Sequence, residues 1–119
     1  MKNILIVEDS PTMRLFIKMF LRGVKNVSVT EAVDGIDAIE KLNKNSFDLI
    51  ITDINMPRLN GLELIEKIRG EMVSKIPIII LTTKGEESEI EKGLMAGANS
   101  YLTKPIIGPI LTNLVSGHL

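Results

Sequence analysis

Cysteine is absent from the 119 residues, which excludes disulfides and thiolate metal sites. Tryptophan is absent too, and aromatic residues make up only 3%. A core must therefore be aliphatic, and a hydrophobic share of 45% supplies it. No segment approaches the roughly 18 consecutive apolar residues of a membrane span. The first apolar run, Ile4 to Val7, is too short for the core of a secretion signal. An excess of either charge is also missing. Lys plus Arg number 14 and Asp plus Glu 15, for a net charge of −1. That gives no electrostatic case for nucleic acid or an anionic membrane as partner. Low-complexity tracts, linkers and charge blocks are lacking. One domain over residues 1–119 is expected, long enough for a real core, in the cytoplasm, where no disulfide is needed.

Short aliphatic runs are what the chain does have. Ile4 to Val7 reads as a central strand ending in Glu8-Asp9. Ser10-Pro11 then opens a helix, with Ser10 as N-cap and Pro11 at its first position. Met13, Phe16, Ile17 and Phe20 fall on one face of that helix, and Gly23 suits its stop. Val27 to Thr30 alternates like an edge strand. Asp34-Gly35 opens a second helix with Ile36, Ile39 and Leu42 inward. Leu49-Ile50-Ile51 is an unbroken apolar run, as in a strand covered on both faces, and it stops at Asp53. Asn60 caps a third helix with Glu63 in a capping-box position, and Leu62, Ile65 and Ile68 form its stripe. Pro77 to Leu81 is a fourth strand running into Thr82. Glu86, Glu87 and Glu89 crowd the next helix start, where the macrodipole favours anions. Ile90 and Leu94 point inward there, Gly97 stops the helix, and Gly93 is unexplained. Ser100 to Thr103 is the last strand, ending in Lys104-Pro105. A final helix carries Ile107, Ile110, Leu111, Leu114 and Val115.

Five alternations of buried strand and helix predict a doubly wound, five-stranded parallel α/β sheet. Ligands in such sheets bind beyond the carboxyl ends of the strands. Those ends carry Glu8, Asp9, Asp53, Thr82 and Lys104. Three carboxylates without His or Cys make a hard oxygen site suited to Mg2+ or Mn2+. A divalent cation relieves their mutual repulsion. The lysine offers a point charge, and the threonine a hydroxyl, for phosphoryl oxygens. A carboxylate nucleophile, a metal and a cation are the parts needed to accept a phosphoryl group.

These residues resemble the receiver domain of two-component response regulators, the CheY-like (flavodoxin-like) fold. The likeness rests on Ile4-Leu5-Ile6-Val7-Glu8-Asp9-Ser10, Thr52-Asp53-Ile54-Asn55-Met56-Pro57 with Gly61, Leu81-Thr82, Ala96-Gly97-Ala98 and Tyr101-Leu102-Thr103-Lys104-Pro105. It implies the strand order 2-1-3-4-5. It also implies Asp53 as phosphoacceptor from a phosphohistidine on a sensor histidine kinase. Asp9, Asp53 and the Asn55 carbonyl would ligate the metal, and Glu8 would hold it through water. Lys104, ahead of a cis bond to Pro105, would bind the phosphoryl group. Thr82 would move toward it and Tyr101 would turn inward, changing a surface of helix four, strand five and helix five that binds a downstream protein. Glu8 stands where the family commonly has Asp, and Asn55 and Lys84 occupy variable positions. His118 has no acidic partner in sequence and reads as incidental. The outward side of the last helix, with Gly108, Asn113 and Ser116, is thin in charge and suits an apolar partner surface.

Other readings fit less well. A haloacid-dehalogenase-like phosphatase needs a second acid where Asn55 stands, and the chain leaves no room for a cap domain. A nucleotide-binding domain needs glycines that Glu8-Asp9-Ser10-Pro11 lacks. A phosphate-independent interaction module of the same fold is the alternative, opposed by the presence of Asp9, Asp53, Thr82 and Lys104 together.

Overall fold

The computed structural model describes residues Met1–Leu119. Strands β1 (Lys2–Val7), β2 (Val27–Ala32), β3 (Leu49–Asp53), β4 (Ile78–Thr82) and β5 (Ser100–Thr103) alternate with α1 (Pro11–Leu21), α2 (Gly35–Lys44), α3 (Gly61–Glu66), α4 (Glu87–Ala96) and α5 (Gly108–His118). The sheet runs β2-β1-β3-β4-β5, with every neighbouring pair parallel. This is the flavodoxin-like order expected from the resemblance. A single turn of π-helix, Lys67–Glu71, extends α3.

Helix starts follow local chemistry. Ser10 Oγ accepts from the Met13 N–H at 3.2 Å, with Pro11 in the first turn. Asn60 and Glu63 complete a reciprocal capping box. Asp34 caps α2, accepting from the Asp37 N–H at 2.8 Å. It also pairs with Arg58 Nε at 2.5 Å, which ties the α2 entrance to the loop after β3.

Alternate strand residues feed two separate cores. Leu5, Val7, Ile50, Ile78 and Ile80 face Ala38, Leu64, Ile65 and Ile68. Ile4, Ile6, Leu49, Ile51, Ile79 and Leu81 face Ile17, Leu21, Leu111 and Val115. So α1 and α5 cover one side, and α2, α3 and α4 cover the other. The unexplained Gly93 lies where α4 meets the sheet: a Cβ there would collide with Ile80 Cδ1.

The predicted helix faces were too wide. Phe16, Ile36, Leu94, Ile107 and Ile110 are exposed, Ile107 by 57%. Ala38 and Leu64 are buried instead, and Leu62 is only half-buried. A helix lying on a flat sheet buries one narrow ridge, here Ile17 with Leu21 and Leu111 with Val115; residues at its flanks reach past the sheet. Gly108 does not belong to the outward face of α5, since a Cβ there would lie 3.0 Å from the Phe20 ring. Asn113 and Ser116 are exposed as expected. His118 Nε2 lies 3.0 Å from Ser100 Oγ, fastening the end of α5 to β5.

Asp34→Ala removes an N-cap and should cost about 1–2 kcal/mol in denaturant unfolding at neutral pH. The hydrogen bond from Arg58 chiefly holds the Asp34 carboxyl below its usual value. A depressed carboxylate contributes stability above its unfolded pKa, lost as pH falls through the folded one. The gap between the two proteins should therefore narrow in acid, at and below the ordinary Asp range near pH 4.

Candidate functional site at the carboxyl edge of the sheet

Parallel register carries the strand ends to one edge. Val7 lies beside Thr52, Asp53 beside Leu81, and Thr82 beside Thr103. Glu8, Asp53, Thr82 and Lys104 therefore emerge together, and the Lys104 N–H is bonded to the Thr82 carbonyl at 2.7 Å. The peptide bond between Lys104 and Pro105 is cis.

All five β3 residues are buried, so Asp53 is presented on a rigid, apolar stem. The start of α3 presses against that stem. The Gly61 N–H donates to the Ile54 carbonyl at 3.0 Å. A Cβ at Gly61 would sit 2.7 Å from Ile54 Cα and closer still to the Asp53 carbonyl oxygen. Only glycine allows this approach.

Lys104 bridges the two buried acids. Its Nζ donates to Glu8 Oε1 at 2.9 Å and to Asp53 Oδ2 at 3.2 Å. The other Glu8 oxygen, Oε2, accepts from the Ser10 N–H at 3.0 Å, and Arg14 Nη1 donates to the Glu8 carbonyl at 2.7 Å. The Asn55 N–H reaches Asp53 Oδ1 at 3.4 Å. Glu8 is 1% exposed and Asp53 7%, while Asp9 is open to solvent. Carboxylate oxygens of Glu8, Asp9 and Asp53 all lie within 4.8 Å of one another.

Three carboxylates facing one ammonium leave the site short of positive charge. Burial pushes the Glu8 carboxyl up, and the Asp53 charge adds to it, against the pull of Ser10 and Lys104. Burial likewise raises Asp53 beyond what Lys104 recovers. For Lys104 burial works downward, but its bonds and charge pairing with Glu8 and Asp53 outweigh it and raise the ammonium. Oxygen donors in this number, without nitrogen or sulfur, suit a hard divalent cation.

Thr82, fully buried, makes no hydrogen bond to Asp53. Its Oγ1 lies 2.9 Å from Glu86 Oε1. Tyr101 is 48% exposed on β5, and the Asn55 side chain faces solvent. Among the sequence-predicted residues, Glu8, Asp9, Asp53 and Lys104 form one cluster, while Thr82 and Tyr101 stand off from it. Glu86 and Arg14 were missed as neighbours of the site. Glu86 lies four residues beyond Thr82 at a helix N-cap, a position where Glu is not a preferred residue, and that was the available signal.

A family model described as the response regulator receiver domain matches residues 4–116. Chemotaxis protein CheY1 of Helicobacter pylori is 44% identical over 111 residues, spanning 92% of this chain and 90% of that protein. Sensor protein EvgS of Escherichia coli is 42% identical over 114 residues, spanning 96% of this chain and 9% of that protein. Among solved structures, chemotaxis protein CheY4 of Vibrio cholerae matches with a TM-score of 0.89 at 32% identity, covering 100% of this chain and 99% of that one.

Asp53→Asn should stabilise the metal-free protein at neutral pH, by a few degrees in Tm. A carboxyl whose folded pKa is raised favours the folded state below its unfolded pKa, and that support is lost as pH rises through the folded value. The amide removes this loss, so the gain over wild type should fade in acid. Gly61→Ala should cost about 1–3 kcal/mol by overpacking against backbone, read by denaturant unfolding.

Proposed function

Because the chain belongs to the response regulator receiver domain family, we propose that it is a phosphorylation-driven switch in which Asp53 takes a phosphoryl group from a phosphohistidine on a sensor histidine kinase. The family is that of two-component signalling, and its CheY-like members are signalling switches, not turnover enzymes. The observation that carries the reading is the pairing at Asp53. A buried carboxylate at the end of β3 is bridged by Lys104, with two further carboxylates at hand.

In the transfer, an Asp53 carboxylate oxygen attacks phosphorus. A P–O bond forms and the P–N bond breaks. The bonding pair leaves on the imidazole nitrogen, which then holds a proton from solvent. Glu8, Asp9, Asp53 and the Asn55 carbonyl are the groups that would hold Mg2+ or Mn2+, with Glu8 acting through water. The three carboxylates fit such a cation by donor type and spacing. When bound, the cation neutralises charge that builds on the phosphoryl oxygens. Lys104 turns its ammonium from the acids to a phosphoryl oxygen, and the Thr82 hydroxyl donates to another. Transfer of this kind is mostly positioning and charge stabilisation.

Output lies on α4, β5 and α5. Met95, Tyr101 and Ile110 are exposed there, an apolar set suited to a downstream protein. Inward rotation of Tyr101 would alter that surface. No helix is long and apolar enough to cross a membrane, and we place the switch in the cytoplasm, with no direct contact to nucleic acid. The domain is taken to span residues 1–119.

Incubation with acetyl phosphate and Mg2+, read by intact mass, should add one phosphoryl group to the wild type. Asp53→Ala should gain none, and EDTA should abolish the gain. No gain in a folded wild type would favour a phosphate-independent interaction module. Gain in both proteins would mean that Asp53 is not the acceptor.

A further inference from the structure

Glu86 is placed oddly for the residue that opens a helix. It occupies the N-cap of α4, yet its side chain makes no capping bond to that helix. It turns backward instead. Glu86 Oε1 accepts from Thr82 Oγ1 at 2.9 Å, from Thr83 Oγ1 at 2.6 Å and from the Thr83 N–H. The chain between them is closed by a bond from the Glu86 N–H to the Thr83 carbonyl at 3.3 Å. Gly85, at φ +98°, makes the tight return possible. Glutamate is not among the residues that cap helices well, so capping does not account for it.

We infer that Glu86 is a latch that holds the Thr82 hydroxyl away from the phosphoryl site and must release it before the switch can close. This rests on the phosphorylation reading above. A threonine hydroxyl has one proton to donate. In this structure the nearest strong acceptor is the Glu86 carboxylate; the only other acceptor within reach, the Thr83 carbonyl, lies at 3.3 Å. A charged acceptor holds a donor more firmly than a neutral one. Burial works to raise the Glu86 carboxyl, but the bonds from Thr83 and Thr82 and the nearby Lys104 charge prevail and keep it low. It is therefore ionised at neutral pH, and the latch is set in the resting protein. A phosphoryl group on Asp53 competes with Glu86 for one proton. Whatever holds Thr82 on Glu86 lowers the apparent affinity of the site for phosphoryl-like ligands.

Glu86 also brings negative charge toward the site, so simple repulsion must be separated from latching. The probe is beryllium trifluoride with Mg2+, a phosphoryl analogue, titrated calorimetrically. Glu86→Ala should bind it about fivefold or more tightly than wild type. Glu86→Gln keeps a carbonyl that accepts from Thr82 but no charge, and should lie between the two. In a Thr82→Ala background the Glu86→Ala gain should vanish, since the proton being contested is gone. A gain that persists without Thr82, or a Gln variant equal to Ala, would show repulsion and overturn the latch. Equal binding by wild type and Glu86→Ala would overturn it while leaving phosphorylation intact. A folded wild type that neither binds the analogue nor takes phosphate from acetyl phosphate would remove the phosphorylation reading, and the latch with it. Circular dichroism of each variant checks the fold, and the Gln variant retains the test if Ala disturbs the loop.

Discussion

Three carboxylates meet at one end of an apolar sheet with a single ammonium between them, and much of the structure exists to hold that imbalance in place. Glu8 and Asp53 are buried at the ends of two adjacent strands whose cores are the aliphatic runs Ile4 to Val7 and Leu49-Ile50-Ile51. A lone charge so placed would be neutralised or would unfold its surroundings. Lys104, arriving from the far strand β5, offsets part of it by bonding to both. The remaining negative charge is what suits the site to a divalent cation. The same feature works against the stability of the ion-free fold, as the raised carboxyls of Glu8 and Asp53 indicate.

Such a site needs close walls. Gly61 lets α3 start against the backbone of Asp53 and Ile54. Arg14 fixes the carbonyl of Glu8 and pairs with Glu31, so the first loop is held from the side of β2. Arg58, in a left-handed conformation at φ +64°, joins the loop after Asp53 to the cap of α2. Glu8 and Asp53 are thus braced through neighbouring elements, whereas the Thr82 hydroxyl is held chiefly by one side chain, Glu86.

The site was more legible in the sequence than its surroundings. Glu8, Asp53 and Thr82 close aliphatic strands and Lys104 follows the short strand Ser100–Thr103, and a parallel sheet sends every such end to the same edge. Helix starts at Ser10-Pro11, Asp34-Gly35 and Asn60 were readable because capping is local chemistry. Strand order was not readable from pattern, since a strand buried on both faces carries no mark of its neighbours; it came from the family resemblance. Helix faces were read too generously, because periodicity marks a stripe but not how much of it a flat sheet can cover. Exposed Phe16 and Ile110 belong to that error. Gly93 became intelligible only when Ile80 was seen beneath it. The macrodipole accounts equally for any acid in a first turn, so for Glu86 it conceals a specific bond to Thr82.

In the resting arrangement each group needed for switching is already engaged elsewhere. The Lys104 ammonium is shared by two acids, the Thr82 proton is given to Glu86, and the Tyr101 ring lies outside. The Thr82 hydroxyl has one proton and cannot serve Glu86 and a phosphoryl oxygen together, whereas the Lys104 ammonium, with three N–H donors, can keep one acid while it turns to a phosphoryl group. On the proposed reading, a phosphoryl charge on Asp53 would exchange a contact at Thr82 and free the Glu86 side chain at the start of α4. The proposed latch would couple the helix entrance to Asp53 through that one proton, a short route from the sheet edge to the surface carried by α4 and β5.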